Sequence, residues 1–216
     1  MLSPDRTNKV SLQNEEVAEK RFKKIGYSVE RLDKQGHRKR PEFLVLENKK
    51  PLLICEVKTI FSAGYSHKNK AHISTEDPDL INSGQFREEI DFTVIENNLS
   101  NAISKYRCLI NDYPLLSRVP LVVVFFLDFF AEIIFELYPK DDLKRFPEIS
   151  GILKIESNRA IRKVCENISL DDLKQIINTN SMRGLPPNSK EFLLIENKGA
   201  NTKLPRHFVE SCVTNS

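Results

Sequence analysis

The sequence predicts an α/β domain in which a central sheet is covered on both faces. Apolar residues recur at helical spacing in two segments, and four shorter segments are rich in β-branched and aromatic residues. Two of these predicted strands, 42–47 and 52–60, are apolar on both faces, which is typical of strands inside a covered sheet. The 216 residues, 40% hydrophobic and 29% charged, suffice for one domain with a sizeable core.

The N-terminal half of the chain predicts one helix followed by three strands. The helix carries apolar residues at helical spacing, and Gly26 ends it. Each strand is a short apolar run bounded by polar residues, and only a short turn separates the second strand from the third. The helix is predicted at 11–25 and the strands at 27–32, 42–47 and 52–60.

The remaining residues predict a second helix at 92–111 and a fourth strand at 121–127. The long polar segment before this helix, 61–91, has the length of a functional or mobile loop. The order within residues 1–128 is therefore helix, three strands, helix, strand. We expect residues 129–216 to form an α+β extension packed on the same domain. Its elements are predicted at 152–155 with 161–164 (a hairpin), at 170–177 (a helix) and at 192–195 (a strand).

Composition argues against several classes of protein. The N-terminus has no apolar segment typical of a secretory signal, and three acids interrupt the most apolar stretch, 121–138. The four cysteines are far apart and form no CxxC pair, so neither a cysteine metal cluster nor a disulfide framework is expected. We therefore expect a cytoplasmic protein that does not bind membranes.

Charge is unevenly distributed along the chain. The formal net charge is +3, but residues 1–75 hold 16 Lys and Arg against 9 Asp and Glu, whereas residues 76–216 hold 17 against 21. The basic excess lies in four short runs, which together favour a phosphate-binding surface. Any single run is more often a solvated face. The runs lie within 20–24, 37–40, 49–50 and 68–70.

Two acids and one lysine converge in the hairpin predicted for the second and third strands. If the turn is centred near Lys49, paired residues have numbers that sum to 98, and Glu42 lies opposite Glu56. Residues two apart on a strand share a face, so Lys58 lies on the same side as Glu56. The pattern predicts two carboxylates and one ammonium group on one face of the sheet.

This pair of carboxylates needs a compensating charge. Like charges opposite each other destabilise a sheet, and Lys58 can neutralise only one of them. A divalent cation between Glu42 and Glu56 would balance both, and oxygen ligands suit Mg²⁺ or Mn²⁺ better than Zn²⁺. Two alternatives stay open. The cluster is satisfied by ion pairs alone, or the register is shifted by one residue, so that the two acids lie on opposite faces.

The same residues carry a resemblance to a known family. The segments 40–45 (RPEFLV) and 54–59 (ICEVKT) resemble the motif of the PD-(D/E)xK nuclease superfamily. Other acid-x-Lys triplets occur in the chain, but only Glu42 with Glu56 and Lys58 has the facing-strand arrangement. The resemblance implies a restriction-endonuclease-like core of αβββαβ order, with a mixed central sheet flanked by helices.

The resemblance covers about residues 10–128 and implies metal-dependent hydrolysis of phosphodiester bonds, in DNA or less often in RNA, as by an endonuclease. The implied ion is Mg²⁺ or Mn²⁺, held by Glu42, Glu56 and the backbone carbonyl of Val57. Lys58 is implied to orient the attacking water or to stabilise charge on the phosphate. Losing such a group typically costs on the order of 10²–10³ in rate.

The family often adds an acid from the first helix. Glu15 begins a stretch similar to the E-x-x-A-x-x-x-L-x-x-x-G-Y pattern of several members, with Glu16 and Glu19 as alternatives. The resemblance thus implies that Glu15 contributes to catalysis and to the metal through water. The chain departs from the family at Glu42, where Asp is more common, and the longer side chain shifts the implied metal by up to a methylene length.

The resemblance also implies residues that contact nucleic acid. The predicted second helix lacks the Gln that some subfamilies carry, and Lys105 is the polar residue to consider there. Contacts with phosphates would make the affinity fall as salt increases. The expected phosphate contacts are Lys39, Arg40, Lys68, Lys70 and Lys105.

Two alternatives to a nuclease stay open from the sequence. The first is a non-catalytic module on the same fold that binds nucleic acid or assembles with partners. The second is a small α/β domain in which the charged cluster is only structural. The substrate specificity, the choice between endonuclease and exonuclease, and a homodimeric assembly are equally open.

Overall fold

Six strands form one mixed sheet in the computed structural model, in the order β1-β2-β3-β4-β5-β6. The structure describes residues 4–32, 39–60, 92–127, 131, 135, 138–155 and 192–214. Neighbouring strands are antiparallel from β1 to β3, parallel from β3 to β5, and antiparallel between β5 and β6. The predicted α/β class with a mixed central sheet is confirmed. The strands are β1 (Ser28–Arg31), β2 (Phe43–Glu47), β3 (Lys50–Ile60), β4 (Leu121–Leu127), β5 (Ile149–Ile155) and β6 (Phe192–Glu196).

Within the described ranges, three α-helices cover the two faces of the sheet. On one face, Phe22 of the first helix and Phe208 of the third belong to the same apolar cluster as Val122 of β4. On the other face, Leu99 of the second helix packs in a cluster with Val123. The molecule therefore has three layers, with the sheet in the middle. The helices are α1 (Pro4–Lys24), α2 (Thr93–Asp112) and α3 (Arg206–Thr214).

The first helix ends as the sequence predicts. Gly26 has a φ of 98°, a left-handed conformation that costs glycine little. The N–H of Tyr27 donates to the carbonyl of Phe22 at 3.0 Å, and the N–H of Gly26 donates to that of Lys23 at 3.1 Å. This pair of bonds satisfies carbonyls at the helix end and directs the chain into β1.

The hairpin formed by β2 and β3 has the predicted register at the end away from the turn, next to Glu42 and Glu56. Asn48 and Lys49, with φ values of 49° and 65°, form a two-residue turn. Phe43 pairs with Cys55, so the residue numbers sum to 98 as predicted. A bulge between Val45 and Leu46 shifts the register nearer the turn, away from the two acids.

The C-terminal part of the chain extends the same sheet. Strand β5 pairs with β4 on one side and with β6 on the other. The hairpin predicted from 152–155 and 161–164 would need a free edge of β5. Both edges of β5 are already paired, one with β4 and the other with β6. Residues 161–164, the helix predicted at 170–177 and the long segment 61–91 lie outside the described residues. Among the described helices, none has the length and apolarity needed to cross a membrane.

Candidate functional site

The site begins where β3 continues beyond the start of β2. Strand β2 starts at Phe43, opposite Cys55, whereas β3 runs on to Ile60. Beyond Cys55, the edge of β3 that faces β2 has no strand partner. The N–H of Val57 points to this edge and donates to Oε2 of Glu42 at 2.7 Å. The Glu42 carboxylate thus replaces a missing strand partner, and this bond fixes it beside β3.

Glu56 and Lys58 lie on the sheet face covered by α2, together with Glu42. Glu56 is fully buried and Glu42 is 8% exposed. Lys58 Nζ lies 2.5 Å from Glu56 Oε1, and the Lys58 side chain retains 13% exposure. The structure therefore brings these three predicted residues together in a largely buried cluster.

Helix α2 adds a fourth charged group to the cluster. Lys105 Nζ lies 2.7 Å from Oε1 of Glu42 and 2.7 Å from Oε1 of Glu56, so one ammonium group bridges both acids. The sequence singled out Lys105 only as a polar residue of the helix and a phosphate contact. A signal for its position exists, since Lys105 lies between the buried Ala102 and Leu109 at helical spacing.

The two acids differ in protonation because their surroundings differ. Burial, and then the neighbouring Glu42 carboxyl, raise the pKa of Glu56 to about 8. Burial also acts to raise the pKa of Glu42, but the neighbouring Glu56 carboxyl and the charge of Lys105 outweigh it and lower that pKa. The same two acids raise the pKa of Lys105 against the effect of its burial. At neutral pH the acids therefore share about one negative charge.

The oxygen atoms of the cluster fit a hard divalent cation. Both Glu56 oxygens are buried without a well-directed hydrogen bond from any described residue, although Lys58 and Lys105 lie within ion-pair distance of Oε1. The Val57 carbonyl lies on the same edge of β3 as its N–H, since both groups of a strand residue point to one side. Two carboxylates and one carbonyl are ligands that Mg²⁺ accepts while keeping several waters.

The structure places Glu15 in different surroundings. It lies on α1, which packs on the opposite sheet face, and its Oε2 is 3.5 Å from Arg31 Nη1. Glu19, the alternative acid, pairs with Arg31 and Lys23. Within the described ranges, no three His, Cys, Asp or Glu residues form a group that could hold a metal. A contribution of Glu15 to the metal stays a prediction.

The predicted phosphate contacts are found in unlike environments. Arg40 is 14% exposed, donates to Asp112 at 3.2 Å and lies over the Tyr113 ring at 5.2 Å. It therefore joins the segment before Glu42 to the end of α2. Lys39 is exposed. Lys68 and Lys70 lie outside the described residues.

A fully buried lysine on this face was not predicted from the sequence. Lys154 of β5 is fully buried and lies in one cross-strand row with Phe125 and Lys58. The signal was a lone cation in an otherwise apolar strand, ISGILKI. Lys154 lies two strands away from Lys58 in the same sheet.

Comparisons with protein-family models, with curated proteins and with solved structures find no match for this chain.

Proposed function

We propose that this chain is a metal-dependent nuclease of the PD-(D/E)xK type that hydrolyses phosphodiester bonds in DNA, built on a restriction-endonuclease-like core. The observation that carries the proposal is the convergence of Glu42, Glu56 and Lys58 at the point where β3 extends beyond the start of β2. The element order and the resemblance of segments 40–45 and 54–59 to the family motif support it.

In this proposal Glu42, Glu56 and the Val57 carbonyl hold Mg²⁺ or Mn²⁺. When bound, such an ion supplies Lewis-acid stabilisation of the negative charge that develops on the phosphate. Glu42 is held in place by the Val57 N–H, so its carboxylate is already oriented. Glu56 must be ionised to act as a ligand. Because its pKa is raised to about 8, at neutral pH it would lose its proton only when the ion binds.

Lys58 is the group proposed to act on the phosphate. Its side chain is 13% exposed, and in this proposal a phosphate oxygen or an attacking water approaches it from that exposed side. Hydrolysis adds water across one P–O bond, and a fixed cation beside the phosphorus stabilises the charge that builds up. The basic excess of residues 1–75 favours a polyanionic substrate such as DNA.

The proposal is tested by cleavage assays on supercoiled plasmid, single-stranded DNA and RNA, each with Mg²⁺, Mn²⁺ or EDTA. Wild-type protein should cut DNA only when a divalent ion is present. Glu56→Gln and Lys58→Met should each lower the rate on the order of 10²–10³. These variants remove a charge while keeping most of the side-chain volume.

Two exposed positions provide matched controls. Glu30→Gln on β1 and Lys198→Met, just after β6, make the same changes outside the cluster and outside the basic runs, and they should cut at the wild-type rate. Equal cleavage by wild type, Glu56→Gln and Lys58→Met would mean that the activity does not come from this site.

One observation favours a second candidate, a non-catalytic nucleic-acid-binding or assembly module on the same fold. Lys58 and Lys105 both lie within ion-pair distance of the two acids, so the chain itself supplies positive charge to the cluster without a metal. This candidate predicts salt-dependent DNA binding with no cleavage under any metal, and binding that survives Glu56→Gln.

A further inference from the structure

The bridge made by Lys105 suggests how a metal would enter this site. Its ammonium is equidistant, at 2.7 Å, from one oxygen of each acid, which is where a shared cation lies in a carboxylate pair. Only the contact with Glu42 is a well-directed hydrogen bond. The bridge therefore neutralises the pair without satisfying the oxygens of Glu56.

The position of Lys105 on α2 allows it to leave the bridge. Its side chain is 18% exposed, at the boundary between the buried and solvent sides of the helix. Asn101 and Cys108, its neighbours at i−4 and i+3, are both exposed. Lys105 therefore lies beside the solvent-facing side of the helix, so its ammonium would have a short distance to move to reach water.

We propose that Lys105 is a positioning residue that keeps the Glu42–Glu56 pair assembled without metal and is displaced from it when a divalent cation binds. The inference rests on the proposed metal site. A monovalent ammonium and a divalent ion compete for the same two oxygens, and the ion prevails because it carries twice the charge and accepts oxygen ligands on all sides.

The first test compares Mn²⁺ binding by the full chain and by Lys105→Met at pH 8, measured as loss of the free Mn²⁺ electron paramagnetic resonance signal. Removing the competing charge should tighten Mn²⁺ binding by about tenfold or more. Without metal, the variant should melt at a lower temperature than wild type, and Mn²⁺ should recover the difference. A residue with only a structural role would lower the melting temperature without tightening Mn²⁺ binding.

The matched control is Arg107→Met, which removes a cation from the same helix. Arg107 is 64% exposed and pairs with Glu148, away from the acids. This variant should bind Mn²⁺ like wild type.

A second measurement needs no substitution. An amine-reactive reagent should label Lys105 slowly in EDTA and faster with Mn²⁺, while the exposed Lys50 is labelled equally in both, as read by mass spectrometry of peptides. Labelling of Lys105 that does not change while wild type binds Mn²⁺ would overturn the displacement and leave the metal site standing. Absence of Mn²⁺ binding in wild type and in Lys105→Met would overturn the displacement and the proposed metal site together.

Discussion

Glu42 has two functions that one side chain can serve because it has two oxygens. Its Oε2 accepts the N–H of Val57, and its Oε1 accepts from Lys105. The first bond completes the edge of β3, and the second belongs to the charged cluster. An Asp at this position would be shorter by one methylene. The length of Glu therefore allows the carboxylate to reach the Val57 N–H of β3.

The raised pKa of Glu56 predicts a pH-dependent stability. Its folded-state pKa of about 8 lies above the usual 4.5, so the native state binds more protons than the unfolded state between these values. In EDTA, the free energy of unfolding should fall as the pH rises from 5.5 to 8, by at most about 1.4 kcal/mol per pH unit. The lowered pKa of Glu42 acts below this window.

Urea denaturation at several pH values measures this effect. Glu56→Gln should flatten the decline, because an amide does not titrate, whereas the exposed control Glu30→Gln should keep it. A wild-type stability that rises steadily from pH 5.5 to 8, unchanged in Glu56→Gln, would contradict the burial of a shared charge at this site.

The position of a side chain could be predicted from the sequence where the period of its own strand or hairpin determines it. The approach of Glu42 to Glu56 follows from counting residues through a hairpin, because strands alternate with a fixed period of two. The bridge by Lys105 joins residues 63 apart in sequence. No spacing rule relates a helix to a strand across that distance, so only the packing of α2 on the sheet could reveal it.

At the scale of elements, the hairpin between β2 and β3 controls the geometry of the site. Its turn places two non-glycine residues, Asn48 and Lys49, at positive φ. Asn tolerates this conformation better than Lys, whose Cβ crowds the backbone. The turn keeps the strands in register but is not optimised for stability.

We predict that Lys49→Gly stabilises the protein by roughly 0.5–1 kcal/mol, because glycine adopts the φ of 65° without strain. Lys50→Gly, one residue later within β3, should destabilise it, since glycine weakens a strand. Urea denaturation compares the two variants. A Lys49→Gly protein less stable than wild type would show that the turn has another conformation.

The ends of helices and strands could be predicted from the sequence where the apolar pattern continues to the last residue of the element. Strand β4 occupies 121–127 as predicted. Helix α1 begins at Pro4, seven residues before the predicted start, because its first turns carry mostly polar residues that give no apolar pattern. Strand β5 begins at Ile149 rather than 152, since Gly151 interrupts the apolar run.

At the scale of the whole molecule, the C-terminal residues complete the sheet that carries the site. Strands β5 and β6 continue the order beyond β4, and Asn197 donates to the carbonyls of Leu143 and Ile149 at 2.8 and 2.9 Å. The sequence predicted an extension packed on the domain. It could not predict sheet pairing, because β6 joins β5 across a long stretch of chain and such pairings leave no local pattern.

This continuity predicts that residues 1–128 do not fold alone. Without β5, the largely buried β4 would become an edge strand, with Val122 and Val124 losing part of their cover. A fragment of residues 1–128 should show no cooperative unfolding in urea, unlike the full chain. A cooperative transition of the fragment with the midpoint of the full chain would show that the core is independent.

The measurement that tests the central claim most directly is the initial rate of supercoiled plasmid nicking with Mg²⁺, for wild type, Lys58→Met and the exposed control Lys198→Met purified side by side. We expect cleavage by wild type and Lys198→Met, abolished by EDTA, and a loss on the order of 10²–10³ in Lys58→Met. Identical rates in all three proteins, or no DNA cleavage by wild type with any divalent ion, would contradict that claim.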